Sequence, residues 1–166
     1  MDGPCLPGDG LVILMESPTA TDYRCAVARV VDPEIPVLTI DDLGILRSVE
    51  ADGDHVVVTI TPTYSGCPAM RQIEDDIAAA LAREGSASHE VRITHTPAWT
   101  TDWISEEGRR KLAEFGIAPP TGASEVLCPR CQADHPRMVA RFGSTACKAL
   151  MVCSSCGEPF DYFKQF

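Results

Sequence analysis

Two Cys-x-x-Cys pairs, Cys128/Cys131 and Cys153/Cys156, constrain the fold of this chain more than any other feature. Zinc takes four thiolates at about 2.3 Å in a tetrahedron, and each tight Cys-x-x-Cys turn presents two sulfurs to one ion. The pairs are separated by 21 residues, enough for a hairpin between two metal knuckles. The spacing predicts a zinc ribbon over residues 123–166. A segment of about 40 residues buries too little apolar surface to fold alone, and metal binding supplies the missing free energy. With four protein ligands no position is left for water, so Cys128, Cys131, Cys153 and Cys156 are expected to hold a structural zinc rather than a catalytic one. The same quartet would also suit a single iron, and redox cycling, iron–sulfur ligation or chance burial are the competing readings.

The rest of the chain limits where such a ribbon can work. Fourteen basic residues stand against 24 acidic ones, a formal charge of -10 in 166 residues. Residues 123–166 hold five Arg and Lys against four Asp and Glu, a net +1, which leaves -11 for residues 1–122. That sign argues against nucleic acid as a partner, because phosphate neutralisation needs a basic surface, and favours a protein. The longest aliphatic run, Leu11 to Met15, is far short of the ~20 apolar residues that span a bilayer. It also lacks a preceding basic region, so neither a membrane span nor a secretory signal is expected. A cytoplasmic location follows, where closely spaced cysteines point to metal or redox chemistry rather than disulfides.

Hydrophobic periodicity divides the chain ahead of the ribbon. Residues 1–20 read as a flexible arm rich in Gly and Pro. From Thr21, a candidate N-cap, apolar residues recur at helical spacing until Asp32-Pro33. Ile45 to Glu50 and His55 to Thr61 read as a hairpin about Asp52-Gly53. The stripe Met70, Ile73, Ile77, Ala80 and Leu81 predicts a second helix beginning at or near Cys67, and Glu90 to Thr96 a third strand. The fold class is therefore α+β, a small mixed sheet with helices in the order α-β-β-α-β over residues 21–97, its last two strands parallel if they are neighbours. A Trp-containing helical connector over 98–122 follows, with a helix from Ser105 to Phe115 and a linker at Pro119 to Ala123, and then the four-cysteine ribbon. Trp99 and Trp103, four apart, would share a helix face and pack between the two units or onto a partner.

Outside the ribbon, Cys67 is the residue with most chemical potential. A cysteine at a helix start meets the positive end of the dipole and unpaired N–H groups that favour thiolate. A transient iron or cluster ligand is the functional reading, and a structural residue beginning a helix is the other. Asp32 and Glu34, flanking Pro33, could add hard oxygen ligands for iron, although Asp-Pro is also a common way to leave a helix. Cys147 is either a fifth thiol near metal or a small buried residue, and His135 is expected to face solvent. His55, His89 and His95 have no partner at a telling spacing, and no phosphate loop or nucleophile elbow is present. No catalytic residue is assigned.

Val31-Asp32-Pro33-Glu34, Asp42-Leu43-Gly44 and Thr63 to Pro68 resemble the small domain of metal–sulfur cluster biosynthesis proteins, found in iron–sulfur assembly factors. Three further segments, Pro97 to Trp103, Phe142 to Ala149 and Glu158 to Lys164, together with the ribbon, resemble the PaaD family, which belongs to phenylacetyl-CoA epoxygenase (1,2-phenylacetyl-CoA epoxidase) systems. The resemblance covers about residues 22 to 166. It implies an accessory role in aerobic phenylacetate degradation, with the oxygenase and reductase components of that system as partners. It further implies maturation or insertion of one of their iron or iron–sulfur centres, with Cys67 matching the cysteine associated with that role.

Overall fold

The computed structural model describes residues 18–53, 55–122 and 126–166. The expected N-terminal arm lies outside the described residues as far as residue 17, and so does Ala123 at the end of the expected linker.

Helix α1 (Ala20–Ala28) starts earlier than its periodicity suggests, because Thr19 and Asp22 form a reciprocal capping box. Asp22 Oδ2 accepts the Thr19 N–H at 2.8 Å while Thr19 Oγ1 accepts the Asp22 N–H. Thr21 has Arg24 in the position where that acid would be needed, so the cap falls at Thr19. Tyr23 and Val27 turn into the core.

Strands β1 (Leu46–Asp52), β2 (His55–Ile60) and β3 (Ser88–Ile93) form one sheet in that order. The hairpin partners are antiparallel, and helix α2 (Met70–Arg83) carries the chain across so that β3 runs parallel to β2. This is the mixed sheet expected from the sequence. Alternation in β2 sends Val56, Val58 and Ile60 inward, against the Ile73, Ile77 and Leu81 stripe of α2.

The connector is anchored on a single turn, Asp42-Leu43-Gly44. Trp99 is buried and donates its indole N–H to the Leu43 carbonyl at 2.8 Å. Gly44 has φ +67°, and a Cβ there would lie 2.6 Å from both Trp103 Cβ and the Trp103 carbonyl oxygen, so only glycine lets Trp103 sit down. Ser105 caps helix α3 (Glu106–Glu114), its N–H reaching the Asp42 carbonyl, and Lys111 of the same helix reaches Asp42 Oδ2 at 2.7 Å. Trp99 and Trp103 do not share an α-helical face. Trp99 precedes a short 3-10 turn, Thr101–Trp103, and Trp103 lies under the Arg47 guanidinium at its far end.

A second sheet has the order β4-β7-β6-β5, with β4 (Ile117–Ala118), β5 (Arg137–Ala140), β6 (Lys148–Val152) and β7 (Pro159–Phe163). Its strand β4 comes from the connector and pairs parallel with β7, while β5, β6 and β7 form an antiparallel meander. Ala118, Cys128, Met151, Cys153 and Phe160 make a small core under the knuckles. Cys147 and Phe163 belong instead to the main core, beneath the first sheet and its helices. Phe163 and Phe166 lie 6.2 and 6.1 Å from Trp99, ring to ring, so the C-terminal tail fastens the second sheet to the first unit. Among the described residues no helix is long and apolar enough to cross a membrane.

Candidate metal sites

The four ribbon thiols converge: their ligand atoms all lie within 4.8 Å of one another. Cys128 and Cys156 sulfurs are 3.9 Å apart, and those of Cys131 and Cys153 are 3.6 Å apart. A tetrahedron with metal–sulfur bonds of about 2.3 Å has edges of about 3.8 Å, so the spacing fits a four-thiolate metal. Local sequence explains the placement. Each knuckle closes with the residue after its second cysteine in a left-handed conformation, Gln132 at φ 60° and Gly157 at φ 76°. The amides of those residues return to the carbonyls of Cys128 and Cys153. The amides of Cys156 and Ser155 point at Cys153 Sγ, both at 3.4 Å, and hold that thiol down to about 6. Cys128 and Cys153 are buried while Cys131 and Cys156 face outward, so a bound ion would sit at the edge of the small core.

The other three sequence candidates meet at a different place. Asp32 is buried, and its Oδ1 accepts the N–H groups of Glu34 and Ile35 at 2.7 and 2.9 Å, which folds the Asp-Pro-Glu turn back on itself. Burial raises the Asp32 carboxyl above its usual range, against the lowering effect of those amides and of Lys148. Burial and the neighbouring Asp32 charge raise Glu34 as well. Cys67 is half-buried and lies in the turn before α2, not in the helix: its amide bonds the Tyr64 carbonyl, and α2 begins at Met70 with Ala69 as N-cap. The Ala69 amide reaches the sulfur, as a helix start would allow, yet burial together with the Glu34 and Asp32 charges pushes the thiol up. The expected thiolate-favouring field is therefore outweighed.

Three neighbours of this site come from places to which sequence reasoning gave no role there. Tyr64 hydrogen-bonds Cys67, and burial plus the surrounding negative groups raise its hydroxyl. Cys147 and Lys148 arrive from the second sheet, both buried. Lys148 Nζ lies 3.4 Å from Asp161 Oδ2, and its charge also acts on Asp32, Glu34 and Cys147. The segment Phe142 to Ala149 carried the signal, as a motif of the resemblance with no periodicity of its own. The only structural cue to its position was a lysine beginning an otherwise apolar strand.

Over residues 24–93 the sequence matches the family described as iron–sulfur cluster assembly protein, and over residues 116–164 the PaaD zinc beta ribbon domain. A protein of Escherichia coli (strain K12), named as a subunit of 1,2-phenylacetyl-CoA epoxidase, is 47% identical over 154 residues, covering 89% of this chain and 93% of that one. The chain belongs to the PaaD family. An Fe-S protein maturation auxiliary factor of Porphyromonas gingivalis is 36% identical over 96 residues, 57% of this chain and 90% of its own. A solved domain of unknown function (DUF59) from Bacillus anthracis superposes with a TM-score of 0.52 at 29% identity, covering 56% of this chain and 90% of that one. This PaaD chain thus joins an assembly domain to a ribbon, and the charge of Lys148 on the ribbon acts on Asp32 and Glu34 of the assembly domain.

Proposed function

We propose that this chain is an accessory maturation factor for a phenylacetyl-CoA ring-epoxidising multicomponent monooxygenase, acting in the cytoplasm. The Cys67 site takes up iron, as ions or as a cluster, and passes it to an oxygenase or reductase subunit, while Cys128, Cys131, Cys153 and Cys156 keep a structural zinc. One observation carries this reading: a half-buried thiol beside two carboxylates, held apart from a closed four-thiol site. The ribbon quartet is the one group of three or more Cys, His, Asp or Glu ligand atoms within 4.8 Å of one another among the described residues. The Cys67 site therefore offers an incomplete ligand set, which suits cargo that must leave again.

The chain's own residues have separable tasks here. Asp32 and Glu34 supply negative potential that draws a cation to Cys67. Cys67 releases its proton to solvent as the metal binds, and the Ala69 amide and the Tyr64 hydroxyl then stabilise the resulting sulfur charge. Iron uptake weakens as pH falls, because protons compete for the thiol. The naming of relatives as maturation factors supports this reading.

A second reading is a non-catalytic docking subunit in which Cys67 is only structural. The packing of Cys67 against the main core and the exposure of Phe142, Met138 and Val139 on the ribbon favour it. Cys67→Ala separates the two. Lost epoxygenase activity with normal partner binding supports the maturation role, whereas unchanged activity refutes it.

A further inference from the structure

Strand β5 is the outer strand of the second sheet: it pairs with β6 on one side and, among the described residues, with no strand on the other. Such an edge offers a row of unpaired backbone N–H and C=O groups. Natural edges are protected by Pro, bulges and charges within the strand, and Pro136 and the bulge between Met138 and Ala140 do shorten this one. Its centre is nevertheless apolar. Met138 and Val139 are 49% and 48% exposed, and Phe142, just beyond the strand, is 68% exposed.

The charges around this edge have one sign. Arg137 and Arg141 stand at its two ends, and no acidic residue occurs between Asp134 and Glu158 in a chain that holds 24 of them. The other Arg and Lys side chains of the ribbon are engaged: Arg130 pairs with Glu158, Lys148 with Asp161, and Lys164 lies 4.5 Å over the Phe142 ring. Arg137 and Arg141 have no such partner among the described residues. Two-fold antiparallel pairing of β5 with a second copy, centred on Val139, would set Arg137 against Arg141 twice, and like charges directly opposite each other destabilise a ladder. The edge is thus built against itself and for a strand of opposite charge.

We propose that β5 is a docking edge for an extended partner segment, apolar in the middle and acidic at both ends, which adds to the ribbon sheet as a fifth strand. Backbone hydrogen bonds to the edge supply affinity, Met138 and Val139 supply apolar contact, and Arg137 and Arg141 select the partner by charge. The inference goes beyond the role of Cys67 and rests only on the chain meeting a partner subunit, which both readings of Cys67 require.

The test uses the full-length chain and two short synthetic peptides that alternate Val and Thr in the middle, one flanked by Glu at both ends and the other by Lys. Fluorescence anisotropy measures binding, and amide hydrogen exchange locates it. The Glu-flanked peptide is expected to bind at least about tenfold more tightly than the Lys-flanked one, to weaken as salt rises, and to protect the amides of β5. Arg137→Glu combined with Arg141→Glu should invert the preference and leave anaerobic iron uptake unchanged. Equal binding of the two peptides, protection elsewhere, or no binding of either overturns the inference, while iron uptake in the same samples reports separately on Cys67. Protection of β5 that rises with protein concentration in the absence of peptide, with a dimer in sedimentation, would assign the edge to a second copy and overturn it as well.

Discussion

The ribbon knuckles and the Cys67 site are both built from cysteine, and they differ in nearly everything else. At the knuckles four sulfurs already stand at metal spacing, two of them exposed, with backbone amides aimed at Cys153. At Cys67 a half-buried thiol is raised by desolvation and by two acids, and among the described residues it belongs to no group of three close ligand atoms. A preorganised site keeps its metal, because no rearrangement is needed to bind and no open position invites exchange. On the proposed reading, a half-buried thiol kept protonated by desolvation is a stable state to which the Cys67 site returns when the metal leaves. On that reading, the contrast teaches that burial and ligand count, rather than ligand type, separate a resident metal from a passing one.

The comparison can be broken most forcefully at the knuckles. Cys153→Ala should cost on the order of 10 kcal/mol of metal-linked folding, leaving the ribbon unfolded and free of zinc, as zinc analysis and circular dichroism would show. Trp99→Ala removes the buried ring between Leu43 and Phe163, and about 3–5 kcal/mol of stability is expected to go with it. Denaturant unfolding gives that figure, and metal analysis should find zinc retained at the ribbon knuckles. Gly44→Ala should cost about 1–3 kcal/mol from its left-handed backbone alone, with added strain against Trp103.

Smaller changes sharpen the contrast. Asp32→Asn keeps an oxygen to accept the Glu34 and Ile35 amides while removing a buried charge that burial disfavours. Its melting temperature at pH 7 should equal or exceed the wild type while anaerobic iron uptake falls; a large loss of stability would show the carboxylate to be structural. The smallest effect is with pH. Burial would raise Asp42, but the Lys111 ammonium and the two Thr39 bonds outweigh it and hold the carboxyl below its ordinary value. Its contribution is present above the unfolded carboxyl range near pH 4 and is lost as pH falls through the lower folded value. Lys111→Met should flatten that acid limb in melting curves taken across pH.

Much of the fold was legible because it rests on local patterns. The stripe of α2, the alternation of β2 and the two Cys-x-x-Cys turns each report their own environment. The capping of α1 was misplaced by two residues because reciprocity between Thr19 and Asp22 outweighs the start of the apolar period. Less was legible at the junction. Nothing in the sequence around Ile117-Ala118 reveals a parallel pairing with β7, and nothing around Cys147 reveals that it is buried with residues some 80 positions earlier. Such contacts arise from how two units pack, and only the motif of the resemblance hinted that the segment mattered.

The most direct test of a resident metal beside a passing one is elemental analysis with an absorption spectrum on protein purified anaerobically, wild type beside Cys67→Ala. One zinc per chain is expected in both, with sub-stoichiometric iron and visible absorbance in the wild type alone. Equal iron in both proteins, or iron in place of zinc at the ribbon, would contradict the division into a resident and a passing metal.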